Sequence, residues 1–283
     1  MTGDADFGWR LDAAFGKFGH LCVGIDPHPY LFARWGYDDT PRSLDEFSKR
    51  VLDACVDRVG IIKPQVAFFE RWGAAGYRAL EEVIRRARQA DILVIADAKR
   101  GDIGSTMQAY AQSWLSPGTP LESDALTVSP YLGLGTLDET MDLARSQSKG
   151  VFVLAATSNP EALGTQTSVV TNGVDAGLPL AQSIVSRVHA ANEASRQVSG
   201  GVVIGATVSL RDFGIEPDEF PGLPVLAPGF GFQGADPRDA RRLFGALTNR
   251  LIVTETRSIL ESGPEEIRET LSQRAAIVAE ALA

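Results

Sequence analysis

The sequence predicts an α/β protein of the (β/α)8 TIM-barrel class. Three observations carry the prediction: short β-branched apolar runs recur along all 283 residues, segments with helical spacing separate most of them, and each run ends in polar, Gly or Pro residues. Taken in order, a first segment with Trp9, Leu11, Ala14, Phe15 and Phe18 is expected to form an N-terminal helix closing the barrel bottom. The runs that follow are Leu21 to Asp26, Gly60 to Gln65, Ile92 to Lys99, Ala125 to Pro130, Val151 to Thr157, Val202 to Thr207, Pro224 to Gly229 and Leu251 to Thr256. Phe47, Val51, Ala54 and Cys55, and then Tyr77, Leu80, Val83, Ile84 and Ala87, have the spacing of buried helix stripes. Strands alternating with helices imply right-handed crossovers and a parallel sheet. The alternative is an open doubly wound sheet, but the first run ends in Gly24-Ile25-Asp26-Pro27 without the glycine fingerprint of a dinucleotide fold. The longest connection, Ser158 to Gly201, contains a stretch rich in Thr, Ser, Gly and Asn and then a helix near Pro179 to Arg196. It reads as a surface insertion on the face where barrel active sites are built, with a lid as the alternative. No linker or repeat divides the chain, so residues 1–283 are expected to form a single barrel domain.

Composition narrows the function classes. Lys plus Arg is 27 against 36 Asp plus Glu, a net charge of -9, which argues against nucleic acid or an anionic membrane as partner. An anionic small molecule would need a few local cations. Cys22 and Cys55 both lie in apolar stretches and imply no disulfide framework. No apolar run reaches the length of a transmembrane helix, and Met1 to Arg10 lacks the apolar region of a secretory signal, so a cytoplasmic location is expected.

The third run turns abruptly ionic, as Ala96-Asp97-Ala98-Lys99-Arg100-Gly101-Asp102. With a strand period of two, Asp97 and Lys99 share one face and the small Ala96 and Ala98 the other, so both charges are expected to point into the barrel. Charges placed there are costly unless paired. Lys63 in the second run and Asp26 at the end of the first repeat the pattern within reach of neighbouring strands. Structural rim salt bridges could account for one such strand, whereas three in succession favour a site.

Asp97-Ala98-Lys99-Arg100-Gly101-Asp102-Ile103, together with Asp26, Lys63, Pro228-Gly229-Phe230-Gly231-Phe232-Gln233-Gly234 and Arg257, resembles the orotidine 5′-phosphate decarboxylase family. The span Asp97 to Thr106 with Ser129-Pro130-Tyr131 is similar to its longer, second type. The resemblance implies conversion of orotidine 5′-phosphate to uridine 5′-phosphate in pyrimidine biosynthesis, with no metal or organic cofactor, by a homodimer with shared sites. It implies a catalytic array of Lys63, Asp97, Lys99 and Asp102, the last donated to the neighbouring subunit, with Thr106 and Ile103 crossing the interface. By the same resemblance Asp26 binds a ribose hydroxyl, the pyrimidine contact falls on Ser158, and Pro228, Gly229, Gln233 and Arg257 belong to the phosphate end.

The chemistry accounts for these residue types. Loss of carbon dioxide leaves an electron pair on a ring carbon that no adjacent carbonyl accommodates well, so a cation must already be in place. A lysine ammonium supplies both the charge and the proton, and flanking carboxylates keep an ammonium charged. A phosphate needs glycines that let backbone amides approach, a donor such as Gln233, and a strand-end Arg for a bidentate contact, the usual arrangement after the seventh and eighth barrel strands. His20, His28 and His189 have no metal-ligand spacing and read as ordinary loop or core residues. Trp9, Trp35, Trp72 and Trp114 read as core or interface anchors. Two other functions share parts of the pattern: a Mg²⁺-dependent sugar-phosphate decarboxylase with the same Asp-x-Lys-x-x-Asp element, and a non-catalytic phosphate-ligand sensor. Lys63 and Gln233 favour the nucleotide, and a sensor has no need of two inward lysines.

Overall fold

A sheet covered on both faces needs apolar side chains at every strand position, and each predicted run supplies them. In the computed structural model, which describes residues 6–283, the runs form β1 (Leu21–Ile25), β2 (Ile61–Pro64), β3 (Leu93–Arg100), β4 (Ala125–Val128), β5 (Gly150–Ala156), β6 (Gly200–Ile204), β7 (Val225–Pro228) and β8 (Leu251–Glu255). Neighbours in sequence pair in parallel and β1 pairs with β8, which closes the barrel and excludes the open sheet. Most strands stop short of the predicted ends, because the ladder gives way where the polar residues begin: Asp26, Gln65, Thr157 and Thr256 all lie just past a strand.

Helices Pro41–Cys55, Gly73–Gln89, Gly104–Leu115, Asp138–Ser146, Leu180–Ser195 and Ile267–Leu282 wrap the sheet. The first shows why such a segment is helical. Thr40 accepts the Ser43 N–H at 3.2 Å as a cap, Pro41 takes the first turn, and Leu44, Phe47, Val51 and Cys55 form one buried stripe. The Ser158–Gly201 connection holds a short helix, Ala162–Gln166, and an antiparallel bridge between Val169 and Pro179 before the Leu180–Ser195 helix.

Hydrophobic burial falls into two shells. The outer one packs strands against helices and includes Ala96, with Ala98 partly buried against it. The inner one is the barrel floor, where Cys22, Ile61, Leu93, Ile95, Ala125, Phe152, Val203, Leu226 and Ile252 meet Phe7 and Leu11. Phe7 and Leu11 come from the Phe7–Phe18 helix, capped by Asp6, which accepts the Trp9 N–H at 2.8 Å. Phe7 meets Phe152 edge-on at 6.0 Å, and a Cβ at Gly150 would lie 2.6 Å from the Phe7 ring, so only glycine admits this stopper.

The helix therefore closes the bottom as expected, with Leu11 in the floor and Ala14 and Phe15 packed against it. Trp9 is 62% exposed and anchors no core, since the inward positions are Phe7 and Leu11. Trp35 and Trp114 are buried and Trp72 is half-buried. Both cysteines are free and buried. No described helix is long and apolar enough to cross a membrane. The expectation that Met1 to Arg10 is no secretory signal bears partly on residues 1–5, which lie outside the described residues.

Candidate active site

Two residues beyond the floor, polar side chains enter the inward face on β2, β3 and β8, while β5 and β7 stay apolar. Lys63 follows Ile61, Asp97 follows Ile95, Leu154 follows Phe152, Pro228 follows Leu226, and Thr254 follows Ile252 at this spacing. These five side chains line a cavity of about 410 Å³ at the C-terminal mouth, the face on which barrel enzymes build their sites. Asp26, Lys99, Ser158, Gly229, Gln233 and Arg257 complete most of its polar wall.

An ionic chain crosses the cavity floor. The Lys63 ammonium donates to Asp97 Oδ2 at 2.9 Å and lies 3.9 Å from Asp26 Oδ1, while Lys99 Nζ donates to Asp97 Oδ1 at 2.5 Å. Burial opposes charge on Asp97, but Lys63 and Lys99 outweigh it and hold the carboxyl well below the usual range. Burial likewise opposes charge on Lys63, and Asp26 with Asp97 more than reverses this, holding the ammonium above the ordinary lysine value. Asp26 is the exception: burial dominates and raises its carboxyl, although Lys63 pulls the other way. Asp26 Oδ1 and Thr254 Oγ1 are buried without a hydrogen-bond partner beneath the cavity that both residues line. Among the described residues no three His, Cys, Asp or Glu converge as a metal-ligand group.

The opposite end of the cavity is suited to an anion. Gly229, at φ +113, and Gly231, at φ +70, bend the loop after β7, which runs on through the 3₁₀ turn Gly231–Gln233. Arg257 begins the short helix after β8, and its guanidinium lies 3.9 Å from the Phe232 ring centroid. Among the described residues no carboxylate pairs with Arg257, so its donors are not already committed to an internal acid.

Asp102 and Thr106 are not brought to this cavity. Asp102 lies beyond β3 and accepts the Ile103 N–H at 2.8 Å, and Thr106 is exposed on the first turn of the Gly104–Leu115 helix. Several lining residues were not singled out as site residues from sequence. His28, read as an ordinary loop residue, lines the wall edge-on to Phe68 at 4.3 Å, and burial lowers its pKa. Thr157 lines it too, held by Gln166, whose carbonyl accepts the Thr157 N–H at 2.8 Å while its amide donates to Thr157 Oγ1 at 3.0 Å. Thr127 in β4 bonds both Asp97 and Lys99 from behind the cavity. The signal available for Thr127 and Thr254 was a hydroxyl two residues beyond an inward apolar residue, Ala125 and Ile252 respectively.

Comparison with known proteins meets this geometry. A family model described as "Orotidine 5′-phosphate decarboxylase / HUMPS family" matches residues 19–269. The chain belongs to that family. It is 47% identical over 264 residues to the orotidine 5′-phosphate decarboxylase of Streptomyces coelicolor, covering 92% of this chain and 91% of that one. The counterpart from Salinispora tropica is 46% identical over 262 residues, with 92% of each chain covered. A provisionally assigned orotidine 5′-phosphate decarboxylase from Streptomyces avermitilis superposes with a TM-score of 0.89 at 42% identity, over 98% of this chain and 96% of that chain. The match to the orotidine 5′-phosphate decarboxylase / HUMPS family spans every strand of the barrel, so the cavity lies wholly inside the shared region.

Proposed function

We propose that this chain, working as one barrel domain over residues 1–283, is a cytoplasmic orotidine 5′-phosphate decarboxylase that makes uridine 5′-phosphate for pyrimidine biosynthesis. The observation that carries the reading is the Lys63–Asp97–Lys99 chain on the cavity floor facing a phosphate-suited end at Arg257 and Gln233. Asp26, on the wall between them, has a carboxylate placed to accept from a sugar hydroxyl. Ser158 lies on the same wall for the pyrimidine, and Pro228 with Gly229 shapes the turn into the phosphate loop.

In this mechanism the bond from the ring carbon to the carboxylate breaks, carbon dioxide leaves, and the electron pair stays on the carbon. Lys99 faces the developing charge and delivers a proton from Nζ to that carbon, then regains one from solvent. Asp97 anchors Lys99 through one oxygen and Lys63 through the other, so the ammonium is oriented before substrate arrives. Phosphate binding at Arg257 and Gln233 supplies binding energy remote from the reacting carbon, which orders the site. No metal or organic cofactor enters the scheme. Lys63 is ion-paired with both Asp97, at 2.9 Å, and Asp26, at 3.9 Å, the carboxylates a divalent ion would need.

The site is completed by a second copy of the chain. Lys99 is 44% exposed at its side chain, and Asp102 lies off its own cavity. Ile103, Tyr131 and Leu132, which follow β3 and β4, are at least half exposed, an apolar set suited to a homodimer that brings Asp102 and Thr106 across. The reading is tested by following absorbance as purified protein consumes orotidine 5′-phosphate in the presence of EDTA. Turnover is expected to persist; its loss on chelation and rescue by Mg²⁺ would transfer the chain to sugar-phosphate chemistry.

A further inference from the structure

β3 and β4 are in register at Ala96–Leu126 and again at Arg100–Val128, so β3 advances four residues while β4 advances two. Asp97, Ala98 and Lys99 fill that irregularity, and Lys99 adopts a left-handed backbone at φ +48. Such a conformation is uncommon outside glycine and persists only where the surroundings hold it. A backbone N–H taken out of the ladder also needs another acceptor. Thr127, fully buried in β4, provides it: the Lys99 N–H donates to Thr127 Oγ1 at 2.9 Å. The Thr127 hydroxyl in turn donates to Asp97 Oδ1 at 3.0 Å, the same oxygen that receives Lys99 Nζ. Ala96 O also lies near the hydroxyl, at 3.5 Å, but the carboxylate is closer and charged.

We propose that Thr127 is a positioning residue for the reaction, its single hydroxyl fixing the Asp97 carboxylate and the backbone that aims Lys99. The inference rests on the decarboxylase reading above. A threonine hydroxyl has one proton to give and lone pairs to accept, so both bonds are made at once. Valine has the same shape and makes neither, whereas serine keeps the hydroxyl.

The test compares Thr127→Val and Thr127→Ser with wild type in the full chain, reading kcat, KM, the pH dependence of kcat, and the affinity for uridine 5′-phosphate by calorimetry. Thr127→Val is expected to lose roughly 10- to 100-fold in kcat, the scale of an ångström of misplacement, with uridine 5′-phosphate affinity unchanged. Its acid limb should move to higher pH as Asp97 loses a donor. Thr127→Ser should stay within about threefold of wild type in kcat, a barrier change well under the 1.4 kcal/mol of a tenfold effect. Wild-type kcat in the Val variant, equal losses in the two variants, or a fall in affinity matching the fall in kcat would each overturn the assignment. If Thr127→Val does not fold, Thr127→Ala replaces it, and an Ala variant as active as the Ser variant overturns the assignment equally. Absence of turnover by wild type is the distinct outcome that removes the decarboxylase reading, and this role with it.

Discussion

Lys63 and Asp97, each less than a tenth exposed, are joined at 2.9 Å across the β2–β3 boundary, and among the described residues the next acid from Lys63 is Asp26 at 3.9 Å. Breaking one side of a buried pair leaves the other charge uncompensated, so Asp97→Asn should cost about 3–5 kcal/mol of stability at neutral pH. Because the Asp97 carboxyl is held below its ordinary 3.8, its contribution is complete above that value and fades as pH falls through the folded one. Asp26, raised by burial, acts in the opposite direction and in the window above 3.8, where its contribution becomes unfavourable as pH rises toward its folded value. Urea midpoints of wild type and Asp97→Asn should therefore converge on acidification below about pH 4. A gap independent of pH would mean that the carboxylate is not held by these lysines.

Lys99→Ala should fold and still bind uridine 5′-phosphate, since Asp26, Gln233 and Arg257 are untouched. Its turnover should fall at least ~10² to 10⁴-fold, the scale of general acid catalysis alone. Turnover within tenfold of wild type, with Lys63→Ala inactive, would exchange the roles of the two lysines.

Mixing subunits tests the shared site. Lys99→Ala and Asp102→Ala are each expected to be inactive alone. A heterodimer would hold one site with both wild-type residues if Asp102 serves its partner, so activity should return on mixing. Demonstrated subunit exchange with no recovery would place both residues in one chain's site.

Arg257→Ala should weaken substrate binding by about 1.5–3 kcal/mol, the worth of charged hydrogen bonds. Orotidine lacking the phosphate should turn over equally poorly in wild type and variant. A variant that loses as much on the nucleoside as on the nucleotide would show that Arg257 acts on the fold and not on the phosphate.

Much of this architecture was legible because its signals are local. Strand period two puts Asp97 on the inward face and Ala96 and Ala98 against the outer shell, whereas Lys99 reaches the same cavity through an irregular backbone at φ +48. The helix before β1 was visible from its spacing, but aromatic content suggested Trp9 as an inward residue when the floor is met by Phe7 and Leu11. Which face of an amphipathic segment is buried depends on its docking, and four aromatics at mixed spacings do not decide it. Thr127 and Thr254 escaped notice because threonine is an ordinary strand residue whose role here comes from partners on other strands. Gln166 was hidden for the related reason that its contact with Thr157 exists only once the long connection folds back on the end of β5.

The floor made by Phe7, Leu11 and Phe152 has a consequence for traffic. A vessel stoppered at its base has one doorway, so nucleotide, carbon dioxide and the proton that recharges Lys99 must all pass the same rim. Gas released beneath a nucleotide gripped at its phosphate has to slip by the sugar and base or wait for them to leave. In the proposed reaction, the rim around Ser158 and Gln233 lies on the path of departure as well as of entry.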